Sequence, residues 1–379
     1  MSQPRNESPY RVVVVGGSIA GLCAGIALRG VGYAVEVYER APGPMTSRGA
    51  GIVVQPDLIA LLDAHGAPPL PMTTCAARRY LLPEGGVQSE SRMPQHFTSW
   101  DAIHQTLRAT FPEKRYHLGV SIIDFAEEGN HVAVTFATGE GVAADLLVCA
   151  DGARSESRHR LLPDVRPQYA GYIAWRGTLE ESKAPAELVD AFNDRFTFCD
   201  ARSGGHILCY FIPGENAAVD VGRRRLNWVW YVHADETTDL PFLLRDASGE
   251  QRESSVPPGQ VTGDHIAALH AAAGRELHPR FADLVRATEA PFIQAIQDLT
   301  VPRMLFGRTC LLGDAAFVVR PHTAGATAKA AADASALGAA LADTDLRRGL
   351  EGWERSQLEL GSRMTQYGVS LGERFARRR

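Results

Sequence analysis

Residues 11–16, Arg-Val-Val-Val-Val-Gly, are an apolar, β-branched run that stops at glycine. A strand covered on both faces reads as such a continuous run, whereas a half-exposed strand alternates. Behind the glycines, residues 19–29 carry apolar side chains at helical spacing, and residues 34–39 return to strand character. Strand, helix and strand within about thirty residues predict a Rossmann unit at the start of the chain.

The same junction of apolar run and glycine recurs twice. Residues 145–150 predict a second buried strand that leads into Asp151-Gly152, and residues 309–312 predict a third that leads into Gly313-Asp314. Residues 49–54 read as a flexible segment entering a short apolar run, with a helix-like stretch at 56–64, an excursion from the first unit. Between the second and third junctions the texture changes. Residues 195–198, 205–212 and 226–233 alternate aromatic and apolar positions and predict antiparallel strands of an inserted sheet. Residues 214–224 and 245–263 read as loops, 264–288 as an amphipathic helical stretch, 324–342 as an alanine-rich helix and 347–375 as a second amphipathic helix. No internal repeat is present.

The pattern predicts an α/β protein: a Rossmann-type nucleotide-binding domain with an inserted, mainly antiparallel β-sheet substrate domain and C-terminal helices. The expected division assigns 8–75, 98–170 and 295–345 to the cofactor, 76–97 and 171–294 to the substrate, and 346–379 to a C-terminal helix.

Composition narrows the function classes. A chain of 379 residues accommodates two domains that share a ligand. Apolar residues at 45% and charged residues at 22% are those of a folded chain. The 39 basic residues are outnumbered by 44 acidic ones, a net charge of -5 that gives no electrostatic reason to expect nucleic acid. The six cysteines, Cys23, Cys75, Cys149, Cys199, Cys209 and Cys310, show no paired spacing and several lie in apolar runs, so reduced, packed thiols are expected and no metal. The polar first ten residues lack a secretory signal and no window is apolar enough to span a membrane, which makes the cytoplasm the expected location.

Gly16-Gly17-Ser18-Ile19-Ala20-Gly21 stands where the dinucleotide fingerprint G-x-G-x-x-G belongs, with Ser18 at the second glycine. Gly16 makes the tight turn, Gly21 allows close helix–strand packing, and the helix N-terminus offers backbone N–H groups to a pyrophosphate. Glu39, at the end of the second strand, is placed to accept hydrogen bonds from an adenosine ribose.

These motifs occur together with Val148-Cys149-Ala150-Asp151-Gly152-Ala153-Arg154-Ser155-Glu156-Ser157-Arg158 and with Leu311-Leu312-Gly313-Asp314-Ala315-Ala316. In that order they resemble the motifs of class A flavoprotein aromatic hydroxylases over nearly the whole chain. Within the family the resemblance is strongest to the 2,6-dihydroxypyridine hydroxylase-like members, through Gly51-Ile52-Val53-Val54-Gln55-Pro56, Tyr172-Ile173-Ala174-Trp175-Arg176-Gly177 and Arg320-Pro321-His322.

The resemblance implies FAD as cofactor, held by Gly16, Gly17, Ser18, Ala20, Gly21, Glu39, Arg40, Val54, Asp151, Gly313 and Asp314. Asp314 is implied on the ribityl chain, with Arg158 supporting the Asp-Gly motif. Arg48 is either a contact to FAD or a solvated loop arginine. Pro321 falls at the family's proline beside the flavin, and Gly325 and Ala326 open a helix whose N-terminus points toward the reduced ring, although residues 322–328 depart from the usual P-x-x-G-Q-G-x-N. Phe317 replaces a common histidine, and Trp100 a common arginine.

The implied reaction uses NADH or NADPH and dioxygen to hydroxylate a small electron-rich aromatic or heteroaromatic ring through a flavin hydroperoxide. The inserted sheet then floors the pocket. His206 is expected to orient or deprotonate the substrate, or else to be a hydrogen-bonded structural histidine. Tyr210 and Tyr231 bind a ring substituent or belong to the core, and His322 faces the flavin or solvent. Pro321 is implied beside the substrate too. Epoxidation, Baeyer–Villiger oxygenation and a non-catalytic flavin sensor remain alternatives on the same fold, and a homodimer is possible for such enzymes.

Overall fold

The computed structural model describes residues 10–43, 45, 51–342 and 345–373. Folding brings the three strand-to-glycine junctions side by side. A six-stranded sheet runs in the order Leu305–Phe306, Thr309–Leu311, Leu146–Cys149, Arg11–Val15, Ala34–Glu39, Tyr116–Leu118. Its pairings are parallel except for the short edge strand Leu305–Phe306. Val15 stands opposite Cys149, and Cys149 opposite Leu311, so all three turns leave the sheet at the same carboxyl end. Ligands of open α/β sheets bind in that crevice.

The turns touch because their residues are small. Gly16 has φ +97°, a conformation that favours glycine, and a Cβ there would lie 2.4 Å from the Ala150 carbonyl oxygen. Gly313 has φ +65°, and its Cβ would meet that of Ala20 at 2.6 Å. The predicted helices appear as Ile19–Gly30, Pro56–Ala64, Ala326–Leu341 and Leu346–Gly372. The first three pack together, the Ala-rich helix resting on the other two. A three-stranded meander, Ile122–Glu128, His131–Phe136 and Gly141–Ala144, packs against Arg11–Val15 and Leu146–Cys149.

A second sheet of ten strands carries the order Ser255–Val256, Phe292–Thr300, Gln168–Glu180, Arg225–His233, His206–Ile212, Arg195–Asp200, Thr73–Leu81, Val87–Ser99, Gly51–Val53, with Phe317–Val318 attached to Phe292–Thr300. Only the pairing of Arg195–Asp200 with Thr73–Leu81 is parallel. Alternation divides the faces. Trp175, Trp228, Trp230 and Phe211 point outward into a core closed by Leu269, Phe281 and Phe192 from helices Gly263–Glu276, Pro279–Ala287 and Ala186–Phe192. Tyr172, Phe97, Phe196, Tyr210 and Tyr231 line the inner face.

Three differences from the sequence reading bear on the substrate side. The helical stretch 264–288 is broken at Pro279, where His278 Nδ1 caps the second helix by accepting from the Arg280 N–H. Residues 245–263 contain the edge strand Ser255–Val256. The hairpin Thr73–Leu81 with Val87–Ser99 was not foreseen, because Val87–Ser99 is exposed for most of its length and has no apolar stripe. All six cysteines are buried and free, and burial raises the thiols of Cys23, Cys149, Cys209 and Cys310.

Candidate active site

The nucleotide end of the crevice is built around Glu39. Its carboxylate accepts from the Gly17 N–H at 2.8 Å and the Ala41 N–H at 2.9 Å, which fixes both oxygens while leaving a lone pair on each for ribose hydroxyls. The Gly17 carbonyl accepts from the Tyr116 hydroxyl at 2.9 Å and meets His104 Nε2 at 3.2 Å. Burial lowers the pKa of His104, so its neutral ring donates Nε2–H to that carbonyl. Trp100 stacks on His104 at 4.9 Å, so it backs the glycine loop through the imidazole. Helix Ile19–Gly30 begins behind Ser18 with no side-chain cap and no acid in its first turn, which leaves its N-terminus available to an anion.

At the centre, Asp151 accepts from the Ser155 hydroxyl at 2.6 Å and the Ser157 N–H at 3.0 Å. Arg158 is buried and donates to the carbonyls of Ala153 at 2.7 Å and Ala315 at 3.2 Å, so it ties the Asp-Gly turn to the Gly-Asp turn. Asp314 makes no hydrogen bond among the described residues. Burial pushes its carboxyl up to about 6, with Lys329 drawing it down and Asp333 raising it. Beneath it, Lys329 Nζ lies 2.5 Å from Asp333 Oδ2, both side chains buried, and the same oxygen accepts from the Gly313 N–H at 3.1 Å. The Lys329 ammonium sits 4.8 Å from the ring of Phe317.

An orphan carboxylate at Asp314, a glycine cradle closed to any Cβ and an uncapped helix N-terminus fit the ribityl chain and pyrophosphate of FAD. The second uncapped N-terminus is that of Ala326–Leu341, entered through Gly325 after the turn Pro321–Thr323 and the left-handed Ala324. Val54 is held by its N–H donating to the His96 carbonyl at 2.9 Å. Arg40 does not reach Glu39's bonds. It lines an open cleft of about 490 Å³ with Arg154 and Arg252. Arg48 lies outside the described residues.

On the inner face of the large sheet, Tyr231 is the hub. His206 meets its ring edge-on at 5.5 Å, His322 at 5.7 Å and Tyr172 at 6.0 Å. The structure thus brings His206, Tyr231 and His322 to one place. Tyr210 stands beside them in a separate aromatic stack, 4.3 Å from Phe97 and 5.0 Å from Phe196. Burial raises the Tyr231 phenol to about 12 and those of Tyr172 and Tyr210 above their usual range, so all three are neutral donors. His322 Nε2 faces the Gly368 carbonyl at 3.0 Å, which must accept, so Nδ1 is the ring's acceptor and faces the Tyr172 hydroxyl at 3.4 Å. Arg320 donates to Asp298 at 2.8 Å and approaches the same hydroxyl at 3.4 Å.

Sequence reasoning missed His104, Tyr116, Lys329 and Asp333. The first two lie on elements remote from the glycine motif, and their role depends on one carbonyl. Lys329 and Asp333 stand four residues apart on a predicted helix, a spacing that announces an ion pair but not its burial.

A glycine cradle, a buried glutamate at the end of the second strand and an Asp-Gly/Gly-Asp crevice capped by an aromatic sheet make up the arrangement of an FAD-dependent oxygenase fold. Sequences of the FAD binding domain-like family match residues 169–298. The chain is 37% identical over 358 residues to 2,6-dihydroxypyridine 3-monooxygenase of Paenarthrobacter nicotinovorans, covering 93% of this chain and 88% of that enzyme. It is 26% identical over 358 residues to 6-hydroxynicotinate 3-monooxygenase of Pseudomonas fluorescens, covering 88% and 82%. The structure of 2,6-dihydroxypyridine-3-hydroxylase from Arthrobacter nicotinovorans superposes with a TM-score of 0.90 at 34% identity, over 98% of this chain and 94% of that one. Klebsiella pneumoniae HpxO, solved with FAD and uric acid, shares the fold at a TM-score of 0.74 and 21% identity, over 96% and 88%. The chain belongs to the FAD-dependent aromatic monooxygenases, enzymes that bind FAD and hydroxylate aromatic rings. No helix among the described residues is long and apolar enough to cross a membrane, and no cluster there of three or more His, Cys, Asp or Glu is arranged to hold a metal.

Proposed function

We propose that this monooxygenase hydroxylates a small hydroxylated pyridine or a closely similar ring, at the expense of NADH or NADPH and dioxygen. The observation that carries this reading is the polar hub of His206, Tyr231 and His322 set in a largely aromatic floor. It suits a flat ring with few polar substituents, and a dihydroxypyridine enzyme is similar over nearly the whole length.

Segments 8–75, 98–170 and 295–345 would hold the cofactor, and 76–97 and 171–294 the substrate. Glu39 would bind the ribose, Asp314 the ribityl chain, and the Ile19–Gly30 N-terminus the pyrophosphate, with Gly17, Ser18, Ala20 and Gly21 allowing close approach. Arg40 and Arg154 would meet the coenzyme's phosphates in the open cleft. FAD, when bound and reduced, supplies the activation of dioxygen that delivers one oxygen atom to the ring.

The protein's own share is positional. Tyr231 presents a phenolic donor to a ring substituent, and His322 presents Nδ1 as an acceptor while Gly368 holds its Nε2–H. His206 orients the ring from the other side of Tyr231. The aromatic floor excludes water, and Pro321 limits the space beside the ring. A sensor without turnover is disfavoured by the intact set of Glu39, Asp151, Gly313 and Asp314.

The test follows NADH and NADPH oxidation by the purified protein with a panel of hydroxypyridines and phenols, with peroxide measured alongside. Ring-stimulated oxidation with little peroxide and a product heavier by one oxygen is expected. Oxidation unaffected by every ring would reject the reading.

A further inference from the structure

Arg176 stands on strand Gln168–Glu180 with its side chain on the inner face, in step with Tyr172 and Ala174. It is half-buried, and among the described residues no carboxylate comes within ion-pair distance of it. Its Nη1 donates to Gln294 Oε1 at 2.8 Å on the neighbouring strand, and its guanidinium lies 5.9 Å from the Phe292 ring. Its Nε is shielded from water and makes no hydrogen bond. Its charge reaches the phenols of both Tyr210 and Tyr231.

Two buried arginines that flank this sheet carry a carboxylate partner. Arg224 pairs with Glu181 at 2.6 Å and Arg320 with Asp298 at 2.5 Å. A half-buried cation without a counter-ion is costly, and a guanidinium nitrogen shielded from water without an acceptor calls for one. We propose that Arg176 is the counter-ion of the ring substrate, which binds as an oxyanion with its charge spread over a ring oxygen and the adjacent ring nitrogen. The inference rests on the hydroxylated-ring reading above. The substrate's proton stays in the solvent, and the ring enters the pocket in the electron-rich form that accepts an electrophilic oxygen.

Binding is measured on the FAD-loaded enzyme by the change in flavin absorbance, with 2,6-dihydroxypyridine, its neutral isostere 2,6-dimethoxypyridine and 6-hydroxynicotinate as probes. Arg176→Gln should weaken 2,6-dihydroxypyridine by about 10- to 100-fold, the worth of a charge-assisted hydrogen bond. It should leave dimethoxypyridine unchanged and abolish the tightening seen in wild type as pH rises through the probe's own pKa. Arg176→Lys should restore part of the affinity, and Gln294→Leu, which keeps the cation and removes its strand tie, should retain tight binding.

Equal affinity of Arg176→Gln and wild type for 2,6-dihydroxypyridine overturns the assignment, as does equal weakening by Gln294→Leu. Loss confined to 6-hydroxynicotinate would make the anchored anion a carboxylate and overturn the ring-oxygen assignment. Wild-type enzyme that carries FAD yet binds no probe overturns the hydroxylated-ring reading together with this one, a pattern distinct from failure of Arg176 alone.

Discussion

Lys329→Met removes the ammonium from a pair in which both side chains are all but inaccessible, 1% exposed for Lys329 and 0% for Asp333. Methionine nearly matches the lysine stem in volume, so the change leaves little cavity and acts through charge. Asp333 keeps the Gly313 N–H at 3.1 Å, but its other oxygen already has no partner. Removing one member of a buried pair costs about 3–5 kcal/mol, because the remaining charge is left unpaired in a poorly polarisable site. For a chain of this size that lowers the thermal midpoint by about 4–6 °C. Lys329→Met/Asp333→Asn removes both charges while keeping an acceptor for Gly313, so it should recover most of the loss. The assay is thermal unfolding of the apoprotein followed by circular dichroism, with FAD affinity by flavin fluorescence. A single variant that melts with wild type, or a double variant no more stable than the single, would refute the argument that Asp333 depends on Lys329.

Three further outcomes follow from the geometry. Gly16→Ala forces a Cβ to 2.4 Å from the Ala150 carbonyl at a positive φ, so the turn must open; FAD affinity should fall by more than about tenfold, read by fluorescence titration. Asp314 carries a carboxyl raised from 3.8 to about 6, so its protonated form favours the native apoprotein. That contribution is full below pH 3.8 and lost as pH rises through about 6, so between these values apo wild type should lose more stability than apo Asp314→Asn in urea titrations at each pH. His322→Ala and His206→Ala should retain FAD but turn over with lower product yield and more peroxide, measured by the ratio of product to coenzyme oxidised; unchanged coupling in either variant would remove that histidine from the reaction.

The parallel sheet was legible because its strands are buried on both faces. Arg11–Val15, Leu146–Cys149 and Thr309–Leu311 are unbroken apolar runs ending in glycine or alanine, and no other local structure suits such a run so close to a turn. Ala34–Glu39 alternates instead, and Glu39 was legible by its place at the end of the second strand of a recognisable unit. Where exposure removed the pattern, as along Val87–Ser99, the strand was invisible. The break at Pro279 was marked by its proline, but the periodicity on either side runs through it.

The sequence alone determined the opening strand–helix–strand unit, the order of the three motifs and the alternating strands of the inserted sheet, because each is written in neighbouring residues; the cofactor class followed from the family resemblance those motifs carry. Only the tertiary structure decided which side chains meet. His206, Tyr231 and His322 converge because two strands pair in register and the turn Pro321–Thr323 folds over them, held by the Gly368 carbonyl of the last helix. The burial of Lys329 with Asp333 and the lack of a counter-ion for Arg176 among the described residues are likewise properties of packing. Pairing and solvent exclusion are set by residues far apart in the chain, and one-dimensional periodicity carries no record of them.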